Sequence, residues 1–317
     1  MARFREFQKE SGVDDELPTP WIMVPLDGFN VVVLDDENLS AVPVNDQLIS
    51  VFDVRASQPR ARNNFLSKLR ARSGSPEVAQ LFASLMGYAF AFFSGRIFIV
   101  TGESIGDTII KANDGKRMEK ARLDVSVKRR STKKVAFNFV RHKDQSGKIV
   151  NHTSNDPSAA DQWIDVMNNI FTPQTNIVFE KHAARWVTFN GTLDRIVRPQ
   201  DTDTLFKERD PTADMNIFIV GEYESDRNRK STADLIQGET INYQNIICED
   251  KTPDGIATTM AHEALHFLLR EGHHEYTKEK THWLMEQVDT RTGHKIPKGQ
   301  ANKVNPTQST ARQKQRK

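Results

Sequence analysis

The sequence is poor in cysteine and in long apolar runs. Its single cysteine, Cys248, excludes an internal disulfide and a multi-cysteine metal cluster, and we expect it to be a small buried residue in a strand. The longest apolar run, from Val78 to Phe93, is interrupted by Gln80, Ser84 and Gly87 and is short for a membrane span. We therefore expect no transmembrane segment.

The chain also lacks an excess of charge of one sign, and its first residues are charged rather than apolar. Its 44 basic residues nearly balance its 42 acidic ones, and this net charge of +2 argues against a nucleic-acid-binding protein. Residues 1 to 6 carry charge and no apolar core segment follows them, so we predict that there is no signal peptide. The protein is then expected to be cytoplasmic or exported by a leaderless route.

One stretch carries the candidate chemistry, Ala261-His262-Glu263-Ala264-Leu265-His266, and neither a Walker A loop nor a Gly-x-Ser-x-Gly elbow occurs elsewhere. The stretch contains no helix breaker. We predict a helix in which His262 and His266 lie on one face and can bind one metal ion. Glu263 lies about 100° round this helix, where its carboxylate can reach a metal-bound water. Imidazole ligands with one position left open suit Zn²⁺.

The residues after this motif extend it. Gly272 is a candidate helix stop, the adjacent His273 and His274 follow it directly, and a Leu284-Met285 pair comes later. Together these residues resemble the metzincin clan of zinc metallopeptidases, whose pattern is His-Glu-x-x-His-x-x-Gly-x-x-His followed by a Met-turn. The chain departs from that pattern, because Leu269 stands at the expected glycine and the first histidine after the turn is one residue late.

Two arrangements of the third metal ligand stay open. The metzincin resemblance implies a three-histidine site, in which a one-residue insertion makes His273 the third ligand, with His274 nearly equivalent. A thermolysin-like arrangement would instead use a glutamate on a later helix, and Glu286 lies twenty residues after His266. We place the metzincin-like arrangement first, because residues 281 to 285 look more like a Met-turn than a ligand helix.

The resemblance also implies a reaction and further site residues. Glu263 would be the general base that takes a proton from the attacking water in peptide hydrolysis, and Met285 would form an apolar floor beneath the metal. Tyr276 and His282 are candidates for stabilising the oxyanion. The substrate, a protein or peptide, would bind as an extended strand at the sheet edge around Ile246–Ile247.

The first part of the chain has the pattern of a small β-sandwich. Short strands separated by turns are predicted over residues 21–130, for example at 21–24, 30–34 and 123–127. With the segment 102–108 they resemble bacterial immunoglobulin-like domains. A helical hairpin is predicted as an insertion at about 60–93. It either packs on the sandwich through its apolar positions or presents basic and apolar faces to a partner or a membrane. Residues 1–20 are predicted to be a flexible tail.

Strands and helices alternate in the second part of the chain. Predicted strands at 135–140, 175–179, 215–220 and 245–248, with a helix after Asp156, precede the histidine helix. This order over residues 131–297 resembles the metzincin upper subdomain. The predicted fold class is thus α+β, an immunoglobulin-like β-sandwich with a helical insertion followed by a metzincin-like mixed α/β catalytic domain. Residues 298–317 are predicted to be a disordered basic tail.

These patterns predict a zinc-dependent metalloendopeptidase that hydrolyses peptide bonds with Glu263 as general base. The alternative is a non-catalytic binding, adhesion-type or effector protein whose zinc site is only structural. Glu263 favours the enzyme, because a structural metal site needs no general base.

Overall fold

The chain divides into two compact units. The computed structural model describes residues 2–7, 12–54, 65, 67, 95–190, 196–197, 201–221, 223–224, 238–242, 245–250, 255–272, 283–285 and 293–307. Unit 1 comprises residues 1–131, 173–176 and 297–317, and unit 2 comprises residues 132–172 and 177–296. The predicted helical insertion at about 60–93 lies outside the described residues, apart from Phe65 and Ser67.

Unit 1 contains two sheets. The first has the order β1-β4-β7-β6 with antiparallel neighbours, and its strands are β1 (Phe4–Glu6), β4 (Phe29–Leu34), β6 (Ile49–Asp53) and β7 (Arg96–Gly102). The second has the order β2-β3-β9-β8-β5, and its strands are β2 (Val13–Asp14), β3 (Trp21–Pro25), β5 (Ser40–Pro43), β8 (Gly106–Asn113) and β9 (Glu119–Lys128). Only the β3-β9 pair of this sheet is parallel.

The two sheets of unit 1 share one hydrophobic core. Its buried cluster includes Val32 and Val100 from the first sheet and Ile22, Val125 and Val127 from the second. Each of these side chains is at most 1% exposed. Alternation along the strands explains this, since every second side chain of a strand points to the same face.

Both ends of unit 1 differ from the prediction. Residues 1–20 are not a flexible tail throughout, because β1 and β2 pair into the sheets and Phe4 is completely buried. The predicted disordered tail begins instead as the short helix α4 (Lys298–Val304), in which Gln300 and Ala301 are buried. Neither segment has a periodic pattern of apolar residues, so the sequence did not predict its structure; contacts with distant parts of unit 1 hold both segments. Residues 308–317 lie outside the described residues.

Unit 2 is built on a six-stranded mixed sheet. The order is β11-β10-β14-β17-β16, with β12 also pairing with β10, and the strands are β10 (Ser131–Lys143), β11 (Ile149–His152), β12 (Ile177–Asn190), β14 (Met215–Val220), β16 (Gly238–Ile241) and β17 (Asn245–Glu249). Strands β10, β14 and β17 are parallel, whereas β11 and β16 run antiparallel to their neighbours. A separate parallel pair joins β13 (Ile196–Val197) and β15 (Tyr223–Glu224).

The pattern of apolar residues explains the centre of this sheet. Every residue of β14 is buried, as expected for a central parallel strand covered on both faces. Cys248 is buried in β17, which confirms the prediction for the lone cysteine.

Unit 2 contains the two predicted helices, after Asp156 and at the histidine motif, and further short helical turns at 202–208 that the sequence did not predict. They are the 3₁₀ turn η1 (Pro157–Ala159), α1 (Ala160–Thr175), α2 (Thr202–Leu205), the 3₁₀ turn η2 (Phe206–Glu208) and α3 (Ile256–Leu269). The Asp156 carboxylate accepts a hydrogen bond from the N–H of Ser158 at 2.8 Å and caps η1. Trp163 of α1 stacks on Phe139 of β10 with ring centroids 5.5 Å apart.

The fold class is mixed α+β, rich in strands and with several sheets. No helix in the described ranges is long and apolar enough to cross a membrane.

Candidate metal centre

Helix α3 carries the predicted motif and lies directly after strand β17. Ten of its fourteen residues are buried, which explains why the local sequence is almost free of charge. The helix ends at Leu269, and Arg270 takes the left-handed conformation with φ 56° and donates its N–H to the His266 carbonyl at 2.8 Å. The predicted stop at Gly272 is therefore two residues too late.

His262 and His266 lie on one face of α3, as their spacing predicts. Their rings are 4.8 Å apart between centroids, and their Nε2 atoms are 3.1 Å apart. Both side chains are buried, with His262 completely inaccessible and His266 7% exposed. Burial and proximity together make these two nitrogens a preformed pair.

The other nitrogen of each ring contacts a main-chain carbonyl. Nδ1 of His262 lies 2.5 Å from the oxygen of Leu284, and Nδ1 of His266 lies 2.7 Å from the oxygen of Glu271. A carbonyl oxygen only accepts, so each Nδ1 must be the donor and each neutral ring presents a lone pair at Nε2. Two lone pairs 3.1 Å apart repel each other unless a proton or a cation lies between them.

The geometry of the pair fits a zinc ion. Two nitrogens bound to one Zn²⁺ at about 2.0–2.1 Å in a tetrahedral arrangement are about 3.3 Å apart, close to the 3.1 Å observed here. Metal-ligating histidines also usually donate their second ring N–H to a carbonyl or carboxylate, which fixes the ring and its tautomer. Leu284 and Glu271 supply those acceptors.

Glu263 follows His262 and is also buried, with 3% of its surface exposed. Its carboxylate oxygen Oε2 lies 2.8 Å from the hydroxyl of Thr240 on β16. The same hydroxyl lies 2.8 Å from the main-chain oxygen of Glu263. The base predicted from the sequence therefore sits between its own helix and the neighbouring strand.

Gly238 allows β16 to lie close to α3. A Cβ atom at this position would be 2.7 Å from Cγ2 of Thr259 and 3.2 Å from Cγ of Glu263. Cβ atoms in proteins essentially never approach another heavy atom to less than 3.0 Å, so only glycine fits here without a displacement.

The segment Trp283 to Met285 reaches the same helix. The N–H of Leu284 donates to the Lys295 oxygen at 2.9 Å, and Trp283 forms a parallel bridge with Lys295. This anchor holds the Leu284 carbonyl against His262. Met285 is buried, with 1% of its surface exposed. The sequence singled out Met285 but gave no indication of the Leu284 carbonyl.

The remaining predicted site residues lie outside the description. They are His273, His274, Tyr276, His282 and Glu286. Within the part of the chain that is described, no group of three or more His, Cys, Asp or Glu side chains could hold a metal ion. The described centre thus consists of two imidazoles and one adjacent carboxylate, and the third ligand remains a prediction.

The prediction that substrate binds at a sheet edge around Ile246–Ile247 is wrong, because these residues are not at an edge of the sheet. Ile246 and Ile247 belong to β17, which lies between β14 and β16. Strand β16 covers the edge where the sequence placed an incoming peptide. Among the described strands β16 pairs only with β17, so β16 is the outer strand of the sheet beside α3.

Comparisons with known proteins identify no family. No family model matches the chain, and no curated protein matches it. Among solved structures it is similar to the crystal structure of the S-layer protein rSbsC(31-844), with a TM-score of 0.22 and 13% sequence identity over 43% of this chain. The chain spans 16% of that protein.

These findings overturn the predicted family. The assignment to the metzincin clan behind a bacterial immunoglobulin-like domain is wrong, because no family model matches and no three-ligand group occurs among the described residues. The chain differs from the metzincin pattern just after the second histidine of the motif. The clan has a glycine three residues after that histidine, whereas this chain has Leu269, which is the last residue of α3. The two-histidine geometry itself does not depend on that assignment.

Proposed function

We propose that this protein is a zinc-dependent endopeptidase that hydrolyses peptide bonds in a protein or peptide substrate, with Glu263 as general base. One observation carries the proposal. The Nε2 atoms of His262 and His266 lie 3.1 Å apart in a buried site while both Nδ1 atoms face carbonyl oxygens. This arrangement prepares two imidazoles for one cation.

His262 and His266 would hold the metal, with a third protein ligand from His273, His274 or Glu286. Zn²⁺ held there would act as a Lewis acid on the scissile carbonyl and would lower the pKa of a water molecule towards neutrality. The carbonyls of Leu284 and Glu271 keep each ring in the ligating tautomer and fix its orientation. Both partners are main-chain atoms held by the fold.

Glu263 supplies the acid–base chemistry of the proposal. Its carboxylate would take a proton from the water that attacks the peptide carbonyl and pass this proton to the leaving amine. The side chain follows His262 directly on α3 and is 3% exposed, so little bulk water competes for it. A merely structural metal site would have no use for a buried carboxylate at this position.

We place the substrate along β16 rather than β17. An extended peptide can add to the outer strand of a sheet through main-chain hydrogen bonds, and β16 is the outer strand among those described. Thr240 of β16 contacts the Glu263 carboxylate. A peptide on that strand would therefore pass close to the base.

The test combines metal content with proteolysis. The purified protein should contain about one zinc per chain by elemental analysis and should cleave casein in a reaction that a chelator abolishes. Glu263→Gln should keep the zinc and lose about 10²- to 10⁴-fold in kcat. Folded wild type that binds no added zinc, or proteolysis that Glu263→Gln leaves intact, would reject the proposal.

A binding or effector protein with a structural zinc site is the second candidate. The histidines support it in one respect, because through Nδ1 they tie α3 to the chain at Leu284 and at Glu271. A metal at this position would strengthen that connection. Zinc at one per chain, a large loss of stability on chelation and no hydrolysis of any peptide would favour this candidate.

A further inference from the structure

We propose that Thr240 is a positioning residue for Glu263, and that its hydroxyl holds the carboxylate in the orientation needed for proton transfer. The inference rests on the proposed peptidase function and adds a residue to that same site. It is carried by the contact between the Thr240 hydroxyl and the carboxylate oxygen Oε2, at 2.8 Å.

The hydroxyl is well placed to fix the carboxylate. Thr240 lies inside β16 and is paired with Ile246 of β17, so its main chain is held by the sheet rather than by a loop. Its branched β-carbon restricts rotation about the first side-chain torsion. Glu263, in contrast, has three rotatable side-chain bonds, and its carboxylate needs an external contact to stay in one place.

Gly238 sets the distance between the two elements. It is on the same face of β16 as Thr240, because alternate residues of a strand share a face. The close approach of Gly238 to Thr259 and to Cγ of Glu263 brings the strand against the helix. Thr240 reaches Glu263 because the position two residues before it has no side chain.

The Thr240 hydroxyl has a second contact, which gives it an alternative hydrogen-bond acceptor. The oxygen also lies 2.8 Å from the main-chain carbonyl of Glu263, which can only accept a hydrogen bond. A hydroxyl both donates and accepts, so it can donate to an ionised carboxylate or donate to that carbonyl while accepting from a protonated one. Thr240 can thus remain a partner while Glu263 takes up and releases a proton.

The experiment compares substitutions that remove or keep the hydroxyl. Thr240→Val preserves the shape of the side chain without the hydroxyl, and we expect kcat to fall about 10- to 100-fold, with KM and zinc content unchanged. Thr240→Ser restores the hydroxyl and should recover kcat to within a few-fold of wild type. Thr188→Val, on the exposed face of β12, is the matched control and should leave kcat unchanged.

The outcomes separate this inference from the function it rests on. If wild type shows no chelator-sensitive hydrolysis, the proposed function fails. If wild type is active and Glu263→Gln is not, while Thr240→Val keeps wild-type kcat, the role of Thr240 is rejected alone. Should Thr240→Val fail to fold, Thr240→Ala replaces it: low kcat in Ala with recovery in Ser supports the inference, and equal kcat in Ala and Ser overturns it.

Discussion

The main-chain N–H of Lys298 donates a hydrogen bond to the carboxylate of Asp14 at 3.1 Å, across a separation of 284 residues. The side chain of Lys298 also pairs with Asp124 at 2.8 Å. Stretches from the two ends of the sequence therefore meet within unit 1. The helix α4 that makes these contacts is too short and polar to form on its own.

The buried ammonium of Lys128 fixes the same helix. Its Nζ donates to the oxygen of Ala301 at 3.3 Å, to the side-chain oxygen of Asn302 at 2.8 Å, and to the carbonyl of Asn305. The side chain is completely inaccessible to solvent. Burial lowers the pKa of Lys128 to about 8, and the nearby Asp107 opposes this shift only in part.

The stability of unit 1 should consequently depend on pH in the alkaline range. The folded pKa of Lys128 is about 8, below its ordinary value of 10.5, so between these values the unfolded chain binds more protons than the folded chain. The free energy of unfolding of wild type, relative to Lys128→Met, should then rise with pH by up to about 3 kcal/mol. Urea unfolding of both proteins from pH 7 upward measures this difference.

Below about pH 8 the penalty for burying the charge is fully present, and the difference between the two proteins should be flat. A difference that stays flat through about pH 10 would show that Lys128 keeps an ordinary pKa in the fold, and a difference that falls would show that its pKa is raised; either result contradicts the prediction.

The third metal ligand can be identified by substituting each candidate singly. His266→Ala should abolish zinc binding, because it removes one of the two facing imidazoles. Among His273→Ala, His274→Ala and Glu286→Ala, one substitution should lower zinc affinity strongly while the other two retain about one zinc per chain. Competition with a zinc chelator measures the affinities. Full zinc binding in all three would show that the third ligand is another residue.

Gly238→Ala should destabilise the protein and impair the site. The new methyl group would meet the buried Thr259 at 2.7 Å and the side chain of Glu263 at 3.2 Å, so strand and helix must move apart. We expect a loss of about 1–3 kcal/mol in urea unfolding. Gly115→Ala is the control, because a Cβ there has no neighbour within 4 Å, and its stability should stay near wild type. Equal stability of the two variants would contradict the close approach of β16 to α3.

His142→Leu should stabilise the protein. His142 of β10 is 3% exposed, and neither ring nitrogen has a hydrogen-bond partner among the described residues. The ring instead meets the edge of Phe189 at 5.3 Å between centroids. An apolar side chain removes the cost of the buried nitrogens, and we expect a gain of about 1 kcal/mol or more in urea unfolding.

His182→Leu provides the contrast for that measurement. The ring of His182 has a partner, the Thr212 hydroxyl at 2.7 Å, and is partly exposed. Its removal should be neutral or slightly destabilising. A loss of stability in His142→Leu would indicate that its ring makes a favourable polar contact.

The regular elements of the fold were largely predictable where the sequence alternates or is continuously apolar. The predicted strand at 215–220 matches β14 at both ends, and the predicted strands at 30–34 and 123–127 lie within β4 and β9. The helical spacing of His262 and His266 placed both rings on one face of α3. In these cases the information is local, since burial imposes a period on the side chains themselves.

The elements that the sequence did not indicate are held by distant partners. Strand β16 has one large apolar residue, Ile241, and depends on pairing with β17 and on the absence of a side chain at Gly238. The acceptors of the two histidines are main-chain oxygens, at Leu284 and Glu271. Any residue type provides a carbonyl, so no pattern of side chains could have identified them.

The division of unit 1 into separated stretches has a consequence for synthesis on the ribosome. Asn302 and Asn305, which surround the Lys128 ammonium, emerge from the exit tunnel only after the whole of residues 132–296. The stretch that carries the two histidines is therefore fully synthesised before unit 1, where the chain begins, has all the residues that it needs to fold. Vectorial folding from the first domain to the last, the usual order during translation, therefore cannot complete unit 1, because the partners of Lys128 are synthesised after residues 132–296.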